Sequence, residues 1–294
     1  MGDWKQWKIK IILIDDDIFP GELRKIRNYP KKLYYRGEWN KSIFEKTLAV
    51  VGSRRMTRYG REIMEKFMPE IVANKVTVIS GFMYGIDTEA HTKCVESGGK
   101  TIAVLGGGLD VLLPTENNEL YTKILENGGL MISEYEPDFQ PTLWSFPQRN
   151  RIVAGLATIG VLIVEAGMKS GSLITARLAR QMGKKIWAVP GGIFSEVSEG
   201  VNYLIKNDLA KMMTSTVDIF ENKSAENSIQ VNLFEDSLDD CERKIIGALK
   251  NEDLSVDEIG RKLELTITEV LVKISALSLK NIIEEENGRV YLIK

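Results

Sequence analysis

The sequence is poor in the residues on which most metal sites and hydrolytic enzymes depend. Its 294 residues include one histidine, His91, and two cysteines, Cys94 and Cys241, which lie far apart. A disulfide framework, a thiolate zinc site and a serine–histidine hydrolase are therefore disfavoured. The Walker A loop is absent, and no dinucleotide fingerprint follows the first predicted strand. No metal or cofactor is predicted.

Long apolar runs are also missing. No stretch approaches the roughly 20 apolar residues of a membrane helix, and the charged N-terminal residues do not form a signal peptide. We therefore expect a cytoplasmic protein without a membrane partner. The net charge of −2 is uneven: residues 236–294 carry 9 Lys and Arg against 13 Asp and Glu, and the remaining residues carry 30 against 28. A nucleic-acid site would have to be a local basic patch in the larger part.

What the sequence has is a regular alternation of short apolar runs and helical patterns. The runs are predicted to be strands buried on both faces, each followed by small residues and a helix. This alternation predicts an α/β fold with a Rossmann-like, doubly wound, mostly parallel sheet. The predicted strands begin at Leu48, Val76, Thr101, Leu130, Gly160 and Lys185.

Changes in composition divide the chain into four parts. Residues 1–46 are predicted to be an N-terminal extension packed against the main domain, and residues 47–221 are the Rossmann-like domain. Residues 222–237 are polar and aperiodic and are predicted to be a linker. Residues 238–294 carry three helical patterns and a hairpin with an Asn-Gly turn, which together predict a small winged-helix domain.

Residues 145–176 combine the features of an anion site. A strand ending at Val164 is followed by a Gly/Ser loop, residues 166–172, and then by a helical pattern. Small residues allow a phosphate to approach the backbone, and the free N–H groups of a helix's first turn point towards it. Arginines lie just upstream. Glycines follow four other strands as well, which suggests an extended ligand lying against the backbone at one edge of the sheet.

Several motifs resemble, in their order and spacing, those of one known family. They include Val51-Gly52-Ser53-Arg54, Gly85-Ile86-Asp87, Gly106-Gly107-Gly108-Leu109-Asp110, Phe146-Pro147-Gln148-Arg149-Asn150-Arg151 and Ser170-Gly171-Ser172-Leu173. Over about residues 29–220 the chain is similar to the DNA-processing protein A family (DprA, also called Smf). The resemblance implies a non-catalytic, homodimeric protein that binds and protects single-stranded DNA. It also implies that the protein helps to load the RecA recombinase onto that DNA, in natural transformation and the processing of incoming DNA.

The resemblance also implies a set of DNA-binding residues. Arg54 matches the family's phosphate-contacting turn, and Phe146 matches an aromatic residue suited to base stacking, an interaction worth roughly 1–3 kcal/mol per base. Lys169 lies in a variable loop and matches less closely. Tyr84 stands where the family usually has a basic residue, which puts one phosphate contact in doubt. The predicted DNA-binding residues are Ser53, Arg54, Phe146, Arg149, Asn150, Arg151, Lys169, Ser170, Gly171 and Ser172.

Two other classes of function stay open. Glycine-lined pockets with a glutamate after a strand are also similar to phosphoribohydrolases of nucleoside monophosphates, in which Glu165 would be catalytic. Pro190-Gly191-Gly192, however, does not continue into the PGG-x-GT-x-x-E run of those enzymes. A carboxylate at a strand end also often braces a loop through backbone N–H groups. The other class is a small-molecule sensor.

The predicted winged helix is a poor candidate for reading DNA. The helix that would enter a major groove, residues 268–280, offers Lys273 and Lys280 as cations against Glu269, in a domain of net negative charge. Affinity for DNA depends on cations that neutralise phosphates. We therefore interpret this domain as a protein-contact or regulatory module.

Overall fold

The computed structural model describes residues 4–220, 238–249, 252–279, 282–286 and 288–292. The chain divides into two compact units, Met1–Phe220 and Glu221–Lys294. The predicted linker, residues 222–237, lies outside the described residues. Among the helices that the structure describes, none is both long enough and apolar enough to cross a membrane.

Nine strands of the first unit form one sheet. They are β1 (Lys10–Leu13), β2 (Lys32–Gly37), β3 (Thr47–Val51), β4 (Thr77–Ser80), β5 (Thr101–Val104), β6 (Leu130–Ser133), β7 (Gly160–Ile163), β8 (Lys185–Ala188) and β9 (Lys211–Met212). The α-helices of this unit are α1 (Gly21–Arg24), α2 (Arg58–Ala73), α3 (Ile86–Glu96), α4 (Asn118–Glu126), α5 (Ser145–Leu156), α6 (Gly171–Gln181), α7 (Glu199–Lys206) and α8 (Val217–Phe220). The six strands predicted from the sequence are all present.

The strand order is β1-β2-β6-β5-β4-β3-β7-β8-β9. Pairing is parallel from β6 through to β9, whereas β2 is antiparallel to both of its neighbours. The chain builds outward from β3 in one direction through β4, β5 and β6, then returns to place β7 on the other side of β3. The point between β3 and β7 is therefore the topological switch point, outside which such sheets bind their ligands. The predicted mostly parallel, Rossmann-like fold is confirmed.

Helices cover both faces of the parallel strands. All five residues of β3 are buried, which explains why the strand is a continuous apolar run without polar alternation. On one face α2 contributes Phe67 and Ile71 to a core cluster that also contains Ile86 of α3. On the other face α5 and α6 contribute Ile152 and Ala176 to a second cluster. These two layers hold α2 and α6 on opposite faces of the sheet, with their first turns at the same edge.

The N-terminal extension does more than pack against the sheet. Its strands β1 and β2 extend the sheet beyond β6 by antiparallel pairing. Trp4 stacks on Tyr121 of α4 with ring centroids 4.6 Å apart, and the guanidinium of Arg36 in β2 lies 4.7 Å from the Trp4 ring. The sequence predicts one strand here, near Leu33, and the structure has two.

In the second unit, the structure describes three helices and a hairpin. They are α9 (Asp240–Leu249), α10 (Val256–Leu263), α11 (Ile267–Leu279) and the antiparallel pair β10 (Ile283–Glu286) and β11 (Arg289–Leu292). Ser255 begins α10 with a capping box, in which its side chain accepts from the Glu258 N–H and the Glu258 carboxylate accepts from the Ser255 N–H. The elements are those that the sequence predicts, and their identity as a winged helix stays a prediction.

Candidate nucleic-acid interface

A cleft of about 510 Å³ lies at the carboxyl ends of β3 and β7, which is the switch point of the sheet. We call it the switch-point cleft. It is lined by the loop after β3, the start of α5, the start of α6 and part of the segment 190–198. Nine of the ten residues predicted from the sequence line it: Ser53, Arg54, Phe146, Arg149, Asn150, Lys169, Ser170, Gly171 and Ser172. Arg151 does not.

The loop after β3 presents two arginines to solvent. Ser53 is buried, and its hydroxyl accepts a hydrogen bond from the Arg55 N–H at 3.0 Å, which holds the turn. Arg54 and Arg55 are both exposed, and neither has a carboxylate partner within 4 Å among the described residues. Their charge is therefore not neutralised by an ion pair within the protein.

Arg54 and Phe146 form a cation–aromatic pair inside the cleft. The guanidinium carbon of Arg54 lies 5.1 Å from the centre of the Phe146 ring. The same ring packs against the loop after β5 so closely that a Cβ on Gly106 would lie 2.7 Å from Phe146 Cδ1. Phe146 is half-buried, so its ring is held in place and still lines the cleft. This arrangement offers a positive charge and an aromatic surface side by side.

The first turn of α6 faces the cleft, and no carboxylate among the described residues is hydrogen-bonded to it. Ser170 is the N-cap, and its hydroxyl accepts from the Ser172 N–H at 3.3 Å and lies 2.7 Å from the Ser172 hydroxyl. Gly171 is exposed, and a Cβ placed on it would meet nothing within 4 Å. Lys169, just before the cap, is exposed as well. The positive end of the helix macrodipole is therefore open to an external anion.

Arg149 is buried in the floor of the cleft. It is 3% exposed, and its Nη1 donates to the carbonyl oxygens of Gly81 and Val104. A Cβ on Gly81 would lie 2.6 Å from Arg149 Nη2 and 2.5 Å from a carboxylate oxygen of Asp87. Burial lowers the pKa of Arg149 to about 10, so the side chain keeps its charge at neutral pH. Burial also raises the pKa of Asp87, against the opposing effect of the Arg149 charge.

The other two residues of the arginine motif also contact the protein. Arg151 is buried, and its Nη2 donates to both carboxylate oxygens of Glu134, at 2.5 and 2.7 Å. The Asn150 amide accepts from Arg149 Nε at 3.1 Å and donates to the Gly171 carbonyl at 3.4 Å. Asn150 therefore connects α5 to the first turn of α6. The sequence predicts that Arg149, Asn150 and Arg151 all contact DNA. In the structure, most of their polar groups are hydrogen-bonded to other parts of the protein.

Glu165 braces a loop, as one interpretation of the sequence expects. It is 1% exposed, and its carboxylate accepts from both the backbone N–H and the hydroxyl of Thr57, the N-cap of α2. Gly60 in the first turn of α2 packs directly on this carboxylate. The buried carboxylate thus stabilises the start of α2, and it does not line the cleft.

The structure gives a different reason for the glycines at the strand ends. They were predicted to expose backbone to an extended ligand, but most of them are covered by protein atoms. A Cβ on Gly52 would clash with the Ile86 side chain, and one on Gly81 or Gly106 with Arg149 or Phe146. These glycines allow the loops and α5 to pack closely over the sheet edge. The exceptions are Gly171 and Gly192, which are both exposed; a Cβ on Gly171 would meet nothing within 4 Å, and one on Gly192 would meet only Ser195 Cβ at 4.0 Å.

Several apolar residues in and beside the cleft are not among those predicted from the sequence. Leu143 and Val197 line the cleft, and Trp144 is an exposed aromatic between two residues that do. The available signal was an apolar pair directly before the arginine motif, in an otherwise polar segment. Tyr84, which replaces a basic residue of the family, is not among the cleft residues, and its hydroxyl lies 3.3 Å from Glu116.

Comparison with known proteins identifies relatives of this chain. Residues 10–224 match the family model of DNA recombination-mediator protein A. DNA processing protein DprA of Streptococcus pneumoniae is 43% identical over 204 residues, which cover 69% of this chain and 71% of that protein. Protein Smf of Escherichia coli is 40% identical over 212 residues, which cover 72% of this chain and 56% of that protein.

Two solved structures are similar to this one. DNA processing protein A of Streptococcus pneumoniae has a TM-score of 0.66 and 40% identity, with 74% of each chain covered. The protein of the same name from Helicobacter pylori has a TM-score of 0.63 and 29% identity, covering 78% of this chain and 97% of that one. The Helicobacter structure addresses the single-stranded DNA binding mode of that protein.

A doubly wound sheet with a cationic, aromatic-lined cleft at its switch point defines an α/β protein suited to a phosphate-bearing ligand. The family model and the relatives at 43% and 40% identity go further: the chain belongs to the DNA recombination-mediator protein A family, which includes the proteins named DprA and Smf. The resemblance that the sequence motifs carry is thereby confirmed.

Proposed function

We propose that this protein binds single-stranded DNA in the switch-point cleft and acts as a recombination mediator. The observation that carries the proposal is the composition of the cleft. It combines an open helix start, the exposed cations Arg54, Arg55 and Lys169, and the aromatic ring of Phe146. Single-strand binding proteins combine the same elements, a positive groove for the backbone and aromatic rings for the bases. The single-stranded DNA binding mode studied in the Helicobacter pylori relative supports the proposal.

The predicted residues of the cleft and its surroundings take three roles in this proposal: phosphate contact, base stacking and positioning. Arg54, Lys169 and the N–H groups at the start of α6 contact phosphates, because they are exposed or open to the cleft. Phe146 stacks on a base. Arg149 and Arg151 are positioning residues, because their guanidinium groups donate to Gly81, Val104 and Glu134. Arg149, buried in the floor of the cleft and without a carboxylate partner within 4 Å among the described residues, still adds positive potential to it.

The proposal predicts a preference for single strands with little regard for sequence. A base that stacks on Phe146 must be unpaired and turned out of a duplex. Phosphate contacts and stacking carry no pattern of donors and acceptors that would distinguish one base from another. We expect the affinity to fall linearly with the logarithm of salt concentration, with a slope of about 0.7 for each phosphate contact.

A titration of one oligonucleotide against its duplex tests this directly. Fluorescence anisotropy would measure the dissociation constant of the full chain for both forms across a salt series. We expect tighter binding of the single strand at every salt concentration. Equal affinity for the two forms would contradict single-strand recognition, even if both depended on salt.

The variant Arg54→Ala tests the site. Loss of one exposed phosphate contact is expected to weaken single-strand binding about tenfold and to lower the salt slope by about 0.7. Arg58→Ala is the matched control, since Arg58 is close in sequence but pairs with Glu62 at 2.7 Å and does not line the cleft. Equal effects of the two variants would show that the general charge of the protein, and not the cleft, carries the binding.

We further propose that the protein acts as a homodimer and helps to load RecA onto the DNA that it protects, in natural transformation or related processing of incoming DNA. Family membership motivates these proposals. Sedimentation equilibrium of the full chain measures the oligomeric state, and a purely monomeric protein would exclude the dimer. RecA filament growth on single-stranded DNA, followed with and without this protein, measures loading. An unchanged nucleation rate would exclude it.

We propose that the binding is not accompanied by catalysis. The phosphoribohydrolase alternative needs Glu165 free to act on a substrate. Glu165 is instead buried, outside the cleft lining, and hydrogen-bonded to Thr57. Incubation of the pure protein with nucleoside monophosphates, with chromatographic detection of free base, tests the alternative. Release of base that is lost in Glu165→Gln would overturn the non-catalytic proposal.

The second unit is proposed to be a winged helix that contacts protein and not DNA. Its helix α11 exposes the apolar side chains of Ile267, Leu271 and Val272, and Lys273 is paired with Asp239. An apolar, charge-paired surface suits a protein partner better than a phosphate backbone. The isolated segment 236–294 should show no salt-dependent DNA binding in the same anisotropy assay. Tight binding with a steep salt slope would contradict this role.

A further inference from the structure

An exposed tryptophan lies at the edge of the switch-point cleft. Trp144 directly precedes α5 and is 55% exposed, although it is among the largest apolar side chains. Its neighbour Leu143 and the residue two positions on, Phe146, both line the cleft. Large aromatic side chains that stay in contact with solvent often mark an interaction surface.

The indole is held in place by two other aromatic rings. Tyr135 and Phe139, which follow β6, stack on each other with centroids 4.6 Å apart and an interplanar angle of 16°. Trp144 packs edge-on against both rings, with centroids 5.9 Å away in each case. The Tyr135 hydroxyl also donates to the Ser145 carbonyl at 3.4 Å, which ties this pair to the start of α5.

This anchoring leaves Trp144 rigid and accessible at once. A side chain that is already ordered loses little conformational entropy when a ligand packs on it, so its apolar surface is available at low cost. The backbone distance from Trp144 to Phe146 is at most about 7 Å, because each residue of an extended chain spans about 3.5 Å. Trp144 is therefore within reach of a strand of DNA that leaves the cleft at Phe146.

We propose that Trp144 is a second base-stacking residue, on which a base next to the one at Phe146 packs outside the cleft. The proposal rests on single-strand binding in the cleft and extends its footprint. Nucleotide bases fit this position better than an apolar protein surface, because the exposed cations Arg54, Arg55 and Lys169 belong to the same cleft. Stacking is tolerant of sequence, since every base has an aromatic face.

The test compares Trp144→Leu with Trp144→Phe on two oligonucleotides of equal length and charge. One is oligo(dT), and the other carries abasic sites at every position, so that it keeps the phosphates and lacks the bases. Trp144→Leu is expected to weaken binding of oligo(dT) about tenfold, with an unchanged salt slope, because no phosphate contact is lost. Binding of the abasic strand should not change. Trp144→Phe keeps an aromatic face and should lie within about threefold of the natural protein.

Spectroscopy adds an independent readout. Oligo(dT) should quench the tryptophan fluorescence of the natural protein, and this quenching should largely disappear in Trp144→Phe while most of the affinity is kept. Trp4 and Trp187 are buried, and the half-buried Trp7 and Trp39 do not line the cleft, so these four contribute little to it. Tyr29→Leu is the control for removal of an exposed aromatic ring, since Tyr29 does not line the cleft.

Three outcomes decide the matter. Equal weakening of oligo(dT) and the abasic strand by Trp144→Leu would show that the indole acts through the structure of the cleft, and would overturn the proposal. Unchanged binding of oligo(dT) would show that no base stacks on Trp144, and would overturn it too. Failure of single-strand binding itself is recognised separately, because the natural protein would then bind neither strand and Arg54→Ala would have no effect.

Discussion

Two helices begin at neighbouring strand ends in this fold. The first turn of one is bound by a carboxylate of the protein, and the first turn of the other is open to solvent. Helix α2 follows β3 and helix α6 follows β7, so both first turns lie at the switch point. At α2 the N-cap Thr57 is bound by the buried carboxylate of Glu165. At α6 the hydroxyl of Ser170 is the cap, and no carboxylate is hydrogen-bonded to the first turn in the described part of the chain.

The same local feature, a helix start, can therefore stabilise the fold in one place and be available for ligand binding in another. A helix start carries a partial positive charge that favours an anion. In α2 that anion is supplied by the protein itself, so the site is closed and contributes to stability. In α6 the place is left open and faces a cleft that contains Lys169 and Arg54. A phosphate of the bound strand would take the place that Glu165 occupies at α2.

The largest expected effect is on stability, at the closed start. Glu165→Ala removes a buried acceptor and leaves the Thr57 N–H and hydroxyl without it, which should lower the free energy of unfolding by about 3 kcal/mol. Tryptophan fluorescence during urea unfolding measures this for the first unit alone, because residues 221–294 contain no tryptophan.

The control for this loss of charge is Glu196→Ala. Glu196 is exposed and lines the cleft, so its removal should leave stability unchanged and should not weaken DNA binding. An unaltered unfolding midpoint in Glu165→Ala would mean that the start of α2 does not depend on the internal carboxylate.

A charge placed at the open start should act on binding without harming the fold. Gly171→Asp adds a carboxylate where nothing lies within 4 Å of the new Cβ. The helix itself should be slightly stabilised, by about 0.3–1 kcal/mol. Binding of single-stranded DNA should fall about tenfold or more, because the added charge repels the phosphate and occupies the helix start.

Gly171→Ala provides the matched neutral change for that experiment. It should bind single-stranded DNA within about threefold of the natural protein, since it alters neither charge nor access. If the alanine and aspartate variants bound equally well, the start of α6 would not contact the phosphate.

The smallest expected effect is the difference between removing the N-cap hydroxyl of α6 and removing that of α2. Ser170→Ala removes a hydroxyl cap and should cost about 1 kcal/mol of stability. Thr57→Ala should cost more, about 2 kcal/mol, because the Thr57 hydroxyl also donates to the buried Glu165. DNA binding should weaken in Ser170→Ala only. The same assays of unfolding and anisotropy apply, and a binding defect in Thr57→Ala would contradict the division between closed and open starts.

The orientation of the side chains of α5 could not be predicted from the sequence. The arginine motif was recognised, but its helical conformation was not. In a helix, the direction of each side chain depends on its position around the axis, and α5 turns Arg149 towards the carbonyl groups at the ends of β4 and β5. An arginine in a sequence motif therefore looks equally available whether it is exposed or buried. The exposed Arg54 and the buried Arg149 differ only in tertiary context.

Patterns in the sequence are enough to predict the fold class and the sheet edge at which the candidate site lies. Short apolar runs followed by helical patterns specify a parallel sheet, and parallel strands all end at the same edge, so motifs at their ends must meet. Tertiary contacts determine which arginine and lysine side chains lack an ion-pair partner and which helix start is not bound by a carboxylate of the protein. Glu165 meets Thr57 across 108 positions of sequence, and Arg151 meets Glu134 from a different element. Such pairings depend on how the layers of the fold pack. A buried charge without a partner is unfavourable, and the partner can come from any element that packs beside it.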